Sequence, residues 1–140
     1  MVDFVHLHLH TQYSILDGAC RIKDMVKKAE SLGMKGAAVT DHGNLYGIKE
    51  FSEVASKQEG FKPIFGCETY VARRSRFDMA EPIDRKGDHL ILLAKNATGY
   101  RNLLKLISFS WTEGHYYKPR IDKALLAEYH EGLIASSACL

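Results

Sequence analysis

Short apolar runs alternate with segments of helical period along the whole chain, and this alternation restricts the possible folds more than any other feature. The runs are VDFVHLHLH, GAAVT, KPIFGCETYVA, HLILLAK and LIASSACL. After the first, Ile22, Met25, Val26, Ala29 and Leu32 keep the spacing of one helix face, and Gly33 stops that helix. LYGIKEFSEVASKQEG repeats the pattern through Leu45, Ile48, Phe51 and Ala55 and stops at Gly60. ATGYRNLLKLISFSW predicts a third helix with Leu103, Leu104 and Ile107 inward, and KPRIDKALLAEYHEG a turn and a short helix. Strands apolar on both faces, separated by helices, imply an α/β fold with a mostly parallel sheet. Five such strands make an open sheet or part of a barrel. Residues 73–87, RRSRFDMAEPIDRKG, break the pattern; the stretch is charged, contains Pro82 and is long enough to be a mobile loop.

With 140 residues, the chain has the size of one domain, 1–140, and can bury a core. A formal net charge of +2 argues neither for nucleic acid nor for an acidic membrane. No apolar run approaches a membrane span, and MVDFVHLH is not a signal peptide, so a cytoplasmic location is expected. Cys20, Cys67 and Cys139 are far apart and odd in number, which fits reduced thiols in a cytosol.

The first run alternates strictly, with His6, His8 and His10 on one face. In α/β folds reactive groups gather at the carboxyl ends of strands. His8 and His10 stand at the end of the first run, with Asp17 on the loop beyond; Asp41 and His42 end the second. Glu68 lies in the third and Cys139 follows the fifth. His89 opens the fourth run, so it sits at a strand start and departs from the rule. Ile64, Gly66, Glu68 and Tyr70 share a face, and Gly66 is expected to leave room beside Glu68. His, Asp, Glu and Cys together suit Zn²⁺, Mn²⁺ or Fe²⁺, and carboxylates can bridge two ions.

Each residue also has a plainer reading. An isolated HxH is more often surface or satisfied core than ligand, and Asp41 and Asn44 around His42 can simply cap a helix. Glu68 can pair with an arginine, His89 with a carbonyl, and Cys139 can be a small buried hydrophobe. His6 is read as lying behind the ligands or in the core, His115 and His130 as having no role, and Cys20 and Cys67 as packing residues. What favours a metal site is that the strand ends carry ligand types together. The RRSR run reads as a solvated loop more readily than as a phosphate contact. No phosphate-binding glycine loop and no GxSxG elbow is present.

HLHLHTQYSILDG, AAVTDHGNLYG, KPIFGCETYVA, DHLILLAKNATGYRNLLKLIS, KPRID and EGLIASSACL resemble, in order, successive motifs of the PHP (polymerase and histidinol phosphatase) domain. YSILDG, DHGNLYG and LLAKNATGYRNLLKL resemble the branch at the N-terminus of bacterial replicative DNA polymerases, of the type without an inserted exonuclease domain. The resemblance implies the first five strands or so of an incomplete, distorted (β/α)7 barrel with up to three divalent ions. It assigns one ion to His8, His10 and Glu68, a second to Glu68, His89 and Cys139, and a third to Asp17 and His42. The family's late Asp-x-His motif is absent from this sequence, so the ligand set is incomplete and the stretch alone is expected to be inactive and to self-associate. The resemblance further implies DNA as partner, metal-dependent 3′–5′ nuclease activity, and replicase subunits such as a proofreading exonuclease and a sliding clamp. A structural scaffold that docks such a subunit and a stand-alone phosphoesterase remain the alternatives.

Overall fold

The computed structural model describes residues 4–138. Its elements are α1 (Ile22–Ser31), β1 (Gly36–Val39), α2 (Ile48–Ala55), β2 (Lys62–Val71), β3 (Asp88–Ala94), α3 (Ala97–Thr112), β4 (His115–Tyr116), β5 (Lys118–Ile121), α4 (Lys123–Glu128) and β6 (Leu133–Ser137). The helices follow the expected periods. α1 buries Ile22, Met25, Val26 and Ala29, and Gly33 beyond it has φ +76°. Leu32, expected on the same face, is exposed because the helix ends at Ser31. Asn96 caps α3 by accepting from Gly99 N, and Asp122 caps α4 by accepting from Leu125 N. α3 buries Leu103, Leu106 and Ile107, whereas Leu104, expected inward, is 40% exposed. Leu103, Leu106 and Ile107 are spaced three and four apart and stack on one stripe, while Leu104 lies about 100° round the helix from Leu103.

β2 is the centre of a six-stranded sheet. β1 pairs with its first half in parallel, Gly36 to Lys62 through Val39 to Phe65, and β5 pairs with its end in parallel, Tyr70 to Arg120. β3 runs antiparallel to β2, and β6 antiparallel to β3. The sheet is therefore mixed where a mostly parallel one was expected. The reason is the connection from β2 to β3, which has no crossover helix, so the chain turns back and pairs antiparallel. β4 and β5 replace part of the expected turn and form an antiparallel pair. Pro119 and the brevity of both strands hid them, because proline enters sheets mainly at edges and strand starts.

The run before β1 is not a regular strand. Ala38 N donates to His6 O at 2.8 Å and Thr40 N to Leu9 O at 2.9 Å, so two steps along one chain match three along the other. The extra residue breaks the alternation, as a bulge does, and leaves His6 and Leu7 exposed. His6 is not in the core; its ring meets Phe4 edge-on.

Three apolar clusters hold these elements. α1 and α2 cover Ala37 and Val39 of β1; α3 and α4 cover Cys67, Leu92 and Ile121; Ala38, Ile91 and Leu93 form a small inner cluster. Close approach fixes the docking of α3, since a Cβ on Gly99 would lie 1.8 Å from Gly132 O. Gly66 also serves packing, for a Cβ there would meet Leu93 and Thr40. The room expected beside Glu68 is thus filled by neighbours.

Residues 73–87 are fastened by charge. Arg74 pairs with Asp84, and Arg76 with Glu113 at 2.7 Å and Asp122 at 3.2 Å. Arg120 of β5 is fully buried; Nε donates to Gly114 O, Nη1 to Asp84 O, and Nη2 to Arg76 O and Asp78 O, all within 3.0 Å. The arginines of RRSR pair with carboxylates, Arg73 with Asp88 included, while Arg73 and Arg74 stay exposed to solvent as expected.

Candidate metal centre

Glu68 points from the buried middle of β2 to the inner face, 1% exposed, and four imidazoles surround it. Its Oε2 lies 2.6 Å from His8 Nε2, 2.8 Å from His10 Nε2 and 3.8 Å from His42 Nδ1; its Oε1 lies 2.5 Å from His89 Nδ1. His42 Nε2 meets Asp17 Oδ2 at 2.8 Å. Three groups of donor atoms result: His8, His10 and Glu68; His42, Glu68 and His89; and His10, Asp17 and His42.

Each candidate donor arrives by a different route. The bulged run delivers His8 and His10 to one carboxylate oxygen despite its broken alternation. The DHG turn continues β1, and Glu68 N donates to Asp41 O while Gly43 N donates to Glu68 O, which places His42 beside Glu68. Gly43 has φ +58°, and a Cβ there would strike Pro119. His89 opens β3 opposite Tyr70. Because β3 is antiparallel, its start lies at the same mouth as the end of β2, so the apparent exception is a consequence of strand direction.

Behind His10 stands a chain of hydrogen bonds that the sequence reading did not assign to the site. Asp41 is buried and accepts from Thr11 N, Thr11 Oγ1 and Ser14 Oγ at 2.6–2.7 Å. Ser14 spends its only proton on Asp41, so it accepts at its oxygen from His10 Nδ1, 2.9 Å away, and from His42 N. The proton of a neutral His10 is therefore on Nδ1, and Nε2 turns a lone pair on Glu68. The available signals in the sequence are Ser14, four residues after His10, and the Asp of DHG, which also suits a ligand or a cap.

The electrostatics of the cluster suit a cation. Burial first, then the neighbouring His42, lowers the pKa of His10 and favours its neutral form. Burial would raise the pKa of Glu68, but hydrogen bonds with His89 and His8 and the charge of His42 outweigh it and hold the carboxyl at about 2. A lone pair facing a carboxylate at 2.8 Å repels unless positive charge lies between or beside them. His42 Nδ1 is buried with no hydrogen-bond partner and lies 3.8 Å from the same oxygen. Imidazole and carboxylate donors with an orphaned ring nitrogen fit borderline divalent ions.

Six of the seven expected ligands, His8, His10, Asp17, His42, Glu68 and His89, thus come together, and Cys139 lies outside the described residues. The grouping differs in detail: His42 stands with Glu68 and His89, and His10 joins Asp17 and His42. Cys67 points into the α3 cluster, its thiol pushed up by burial, and His130 bonds Ala127 O, as expected of residues outside the site. His115, also given no role, lines a groove of about 550 Å³ that opens beside His42 and His89. A second groove, about 490 Å³ along α1, shares none of the ring's residues.

The PHP domain family matches residues 6–140. The DNA polymerase III subunit alpha of Treponema pallidum is 55% identical over 140 residues, and that of Aquifex aeolicus 52% over 144; each match covers 99% of this chain and 12% of the relative. The chain therefore spans about one-eighth of these relatives' length. Among solved structures, a protein of Bifidobacterium adolescentis assigned as a metal-dependent phosphoesterase matches with TM-score 0.54 at 20% identity, over 79% of this chain and 34% of that one. An amidohydrolase from Chromobacterium violaceum matches with TM-score 0.51 at 21% identity, over 74% and 32%. These two likenesses concern the fold.

Proposed function

Because the chain belongs to the PHP domain family, we propose that residues 1–140 form the N-terminal part of a PHP domain in a DNA polymerase III alpha subunit and contribute to a divalent-metal phosphodiesterase centre. The observation that carries this reading is His10 Nε2, which faces Glu68 with an unshared pair across 2.8 Å. His8, His10 and Glu68 would hold one ion, Glu68 and His89 with Cys139 a second, and Asp17 and His42 a third. Zn²⁺, Mn²⁺ and Fe²⁺ all suit this set.

Such ions supply Lewis acidity, which neutralises charge on a phosphodiester and makes hydroxide available near neutral pH. The chain's own residues prepare the place. Glu68 remains ionised and shared between donor groups. Asp41 and Ser14 fix the His10 tautomer, and fixing a ligand from behind is worth about 10–100-fold in metal affinity. The groove beside His42 and His89 admits the strand whose end is cut. In the whole protein, a cytoplasmic replicase, nucleotide addition belongs to other domains, with DNA, a proofreading exonuclease and a sliding clamp as partners.

The test uses the full-length protein that carries this chain and a primer with a mismatched 3′ end. Removal of the mismatched nucleotide should stop with a chelator, return with Mn²⁺ or Zn²⁺, and be lost in His8→Ala while nucleotide addition persists. Equal removal by wild type and His8→Ala would overturn the reading.

A further inference from the structure

The groove beside the ring carries more than access. Its far wall presents Tyr46, 65% exposed, Trp111, 44% exposed, and Tyr117, 54% exposed, together with the Lys118 ammonium. Aromatic rings this exposed contribute little to the core; Trp111 stacks on His115 with centroids 5.3 Å apart, and Tyr117 is held by Arg85 over its ring and by Glu81, which accepts from its hydroxyl. Two of them are held by the loop that carries His42. Trp111 Nε1 donates to Gly43 O at 2.8 Å, and Tyr46 N donates to Asn44 Oδ1, while Asn44 Nδ2 donates to His42 O. The rings are thus indexed to a residue of the ring around Glu68.

We propose that this wall is a stacking site for a nucleobase of an unpaired strand whose phosphate lies at the Glu68 ring. This rests on the reading of that ring as a phosphodiesterase centre and names how its substrate is gripped. A groove of about 550 Å³ is of the size that takes one small ligand. Rings stack on any base without reading its edge, which suits a site that receives whichever nucleotide ends the strand. Lys118 Nζ lies 5.4 Å over the Tyr70 ring, which itself meets His89 edge-on, and lines the same groove, where it supplies positive charge for a phosphate. A base-paired end keeps its bases stacked in the duplex, so the wall selects an unpaired one.

The experiment uses the full-length protein in chelator, which separates it from the metal reading. The probe is a short single-stranded oligonucleotide with iododeoxyuridine at its 3′ end, photocrosslinked and mapped by peptide mass spectrometry. Crosslinks should appear in peptides that hold Tyr46, Trp111 or Tyr117. An abasic oligonucleotide of equal length should compete for that crosslink about tenfold more weakly than a normal one. Tyr46→Ala with Tyr117→Ala should cut the yield about tenfold, and the two Phe variants should retain it. Crosslinks confined to other peptides, or equal competition by the abasic strand, would overturn the proposal. A protein that binds no ion yet gives these crosslinks would remove the metal reading and leave the stacking site.

Discussion

Two charges are buried near the end of β2, and they are handled in opposite ways. Arg120 is a cation held by four carbonyl contacts, so four of its five N–H donors have a fixed backbone partner. Glu68 is an anion surrounded by groups that can gain or lose a proton, and one of them, His42 Nδ1, has no hydrogen-bond partner. A buried charge that is satisfied by backbone holds a structure in one state. A buried charge ringed by titratable imidazoles, one of them turning a lone pair on it, can be balanced by protons or by a bound cation. The contrast separates scaffold from site without reference to either sequence position.

That contrast can be broken at its structural pole first. Arg120→Met leaves four carbonyl contacts unmade, two of them fully buried, and should destabilise the fold by about 4 kcal/mol, measured by urea unfolding. Added divalent metal should restore none of this loss. The effect is expected to be the larger one, since the same side chain ties Arg76, Asp78, Asp84 and Gly114 together.

At the other pole a smaller change is expected. Ser14→Ala removes the acceptor of the His10 Nδ1 proton and frees the ring to adopt the other tautomer. Metal affinity should fall about 10–100-fold by competition titration, with thermal stability of the metal-free protein lowered by no more than about 2 kcal/mol. An unchanged affinity would show that Ser14 does not orient His10.

The candidate donors were legible because chemistry-bearing residue types recur at strand ends. The geometry that joins them was less so. His89 looked misplaced until β3 proved antiparallel, and strand direction is a property of the connection, which a local pattern shows only as a missing helix. Arg120 was invisible for a related reason: KPRID carries a proline and two cations and reads as a turn, yet backbone carbonyls from the 76–84 loop arrive from a distance and satisfy the guanidinium. Leu104, expected inward, is exposed because helix phase decides which face meets the sheet, and the buried stripe runs through Leu103, Leu106 and Ile107. Asp41 and Ser14 were present in the motifs, but a hydrogen-bond chain has no spacing of its own to announce it.

The central claim is that Glu68 is a carboxylate shared between divalent cations. Metal analysis of the full-length protein after dialysis against trace Zn²⁺ or Mn²⁺, side by side with Glu68→Gln, tests it most directly. Wild type should retain more than one ion per chain in this domain, and Glu68→Gln should lose them while its circular dichroism and urea midpoint stay close to wild type. Equal metal content in the two proteins, or none in either, would contradict the account.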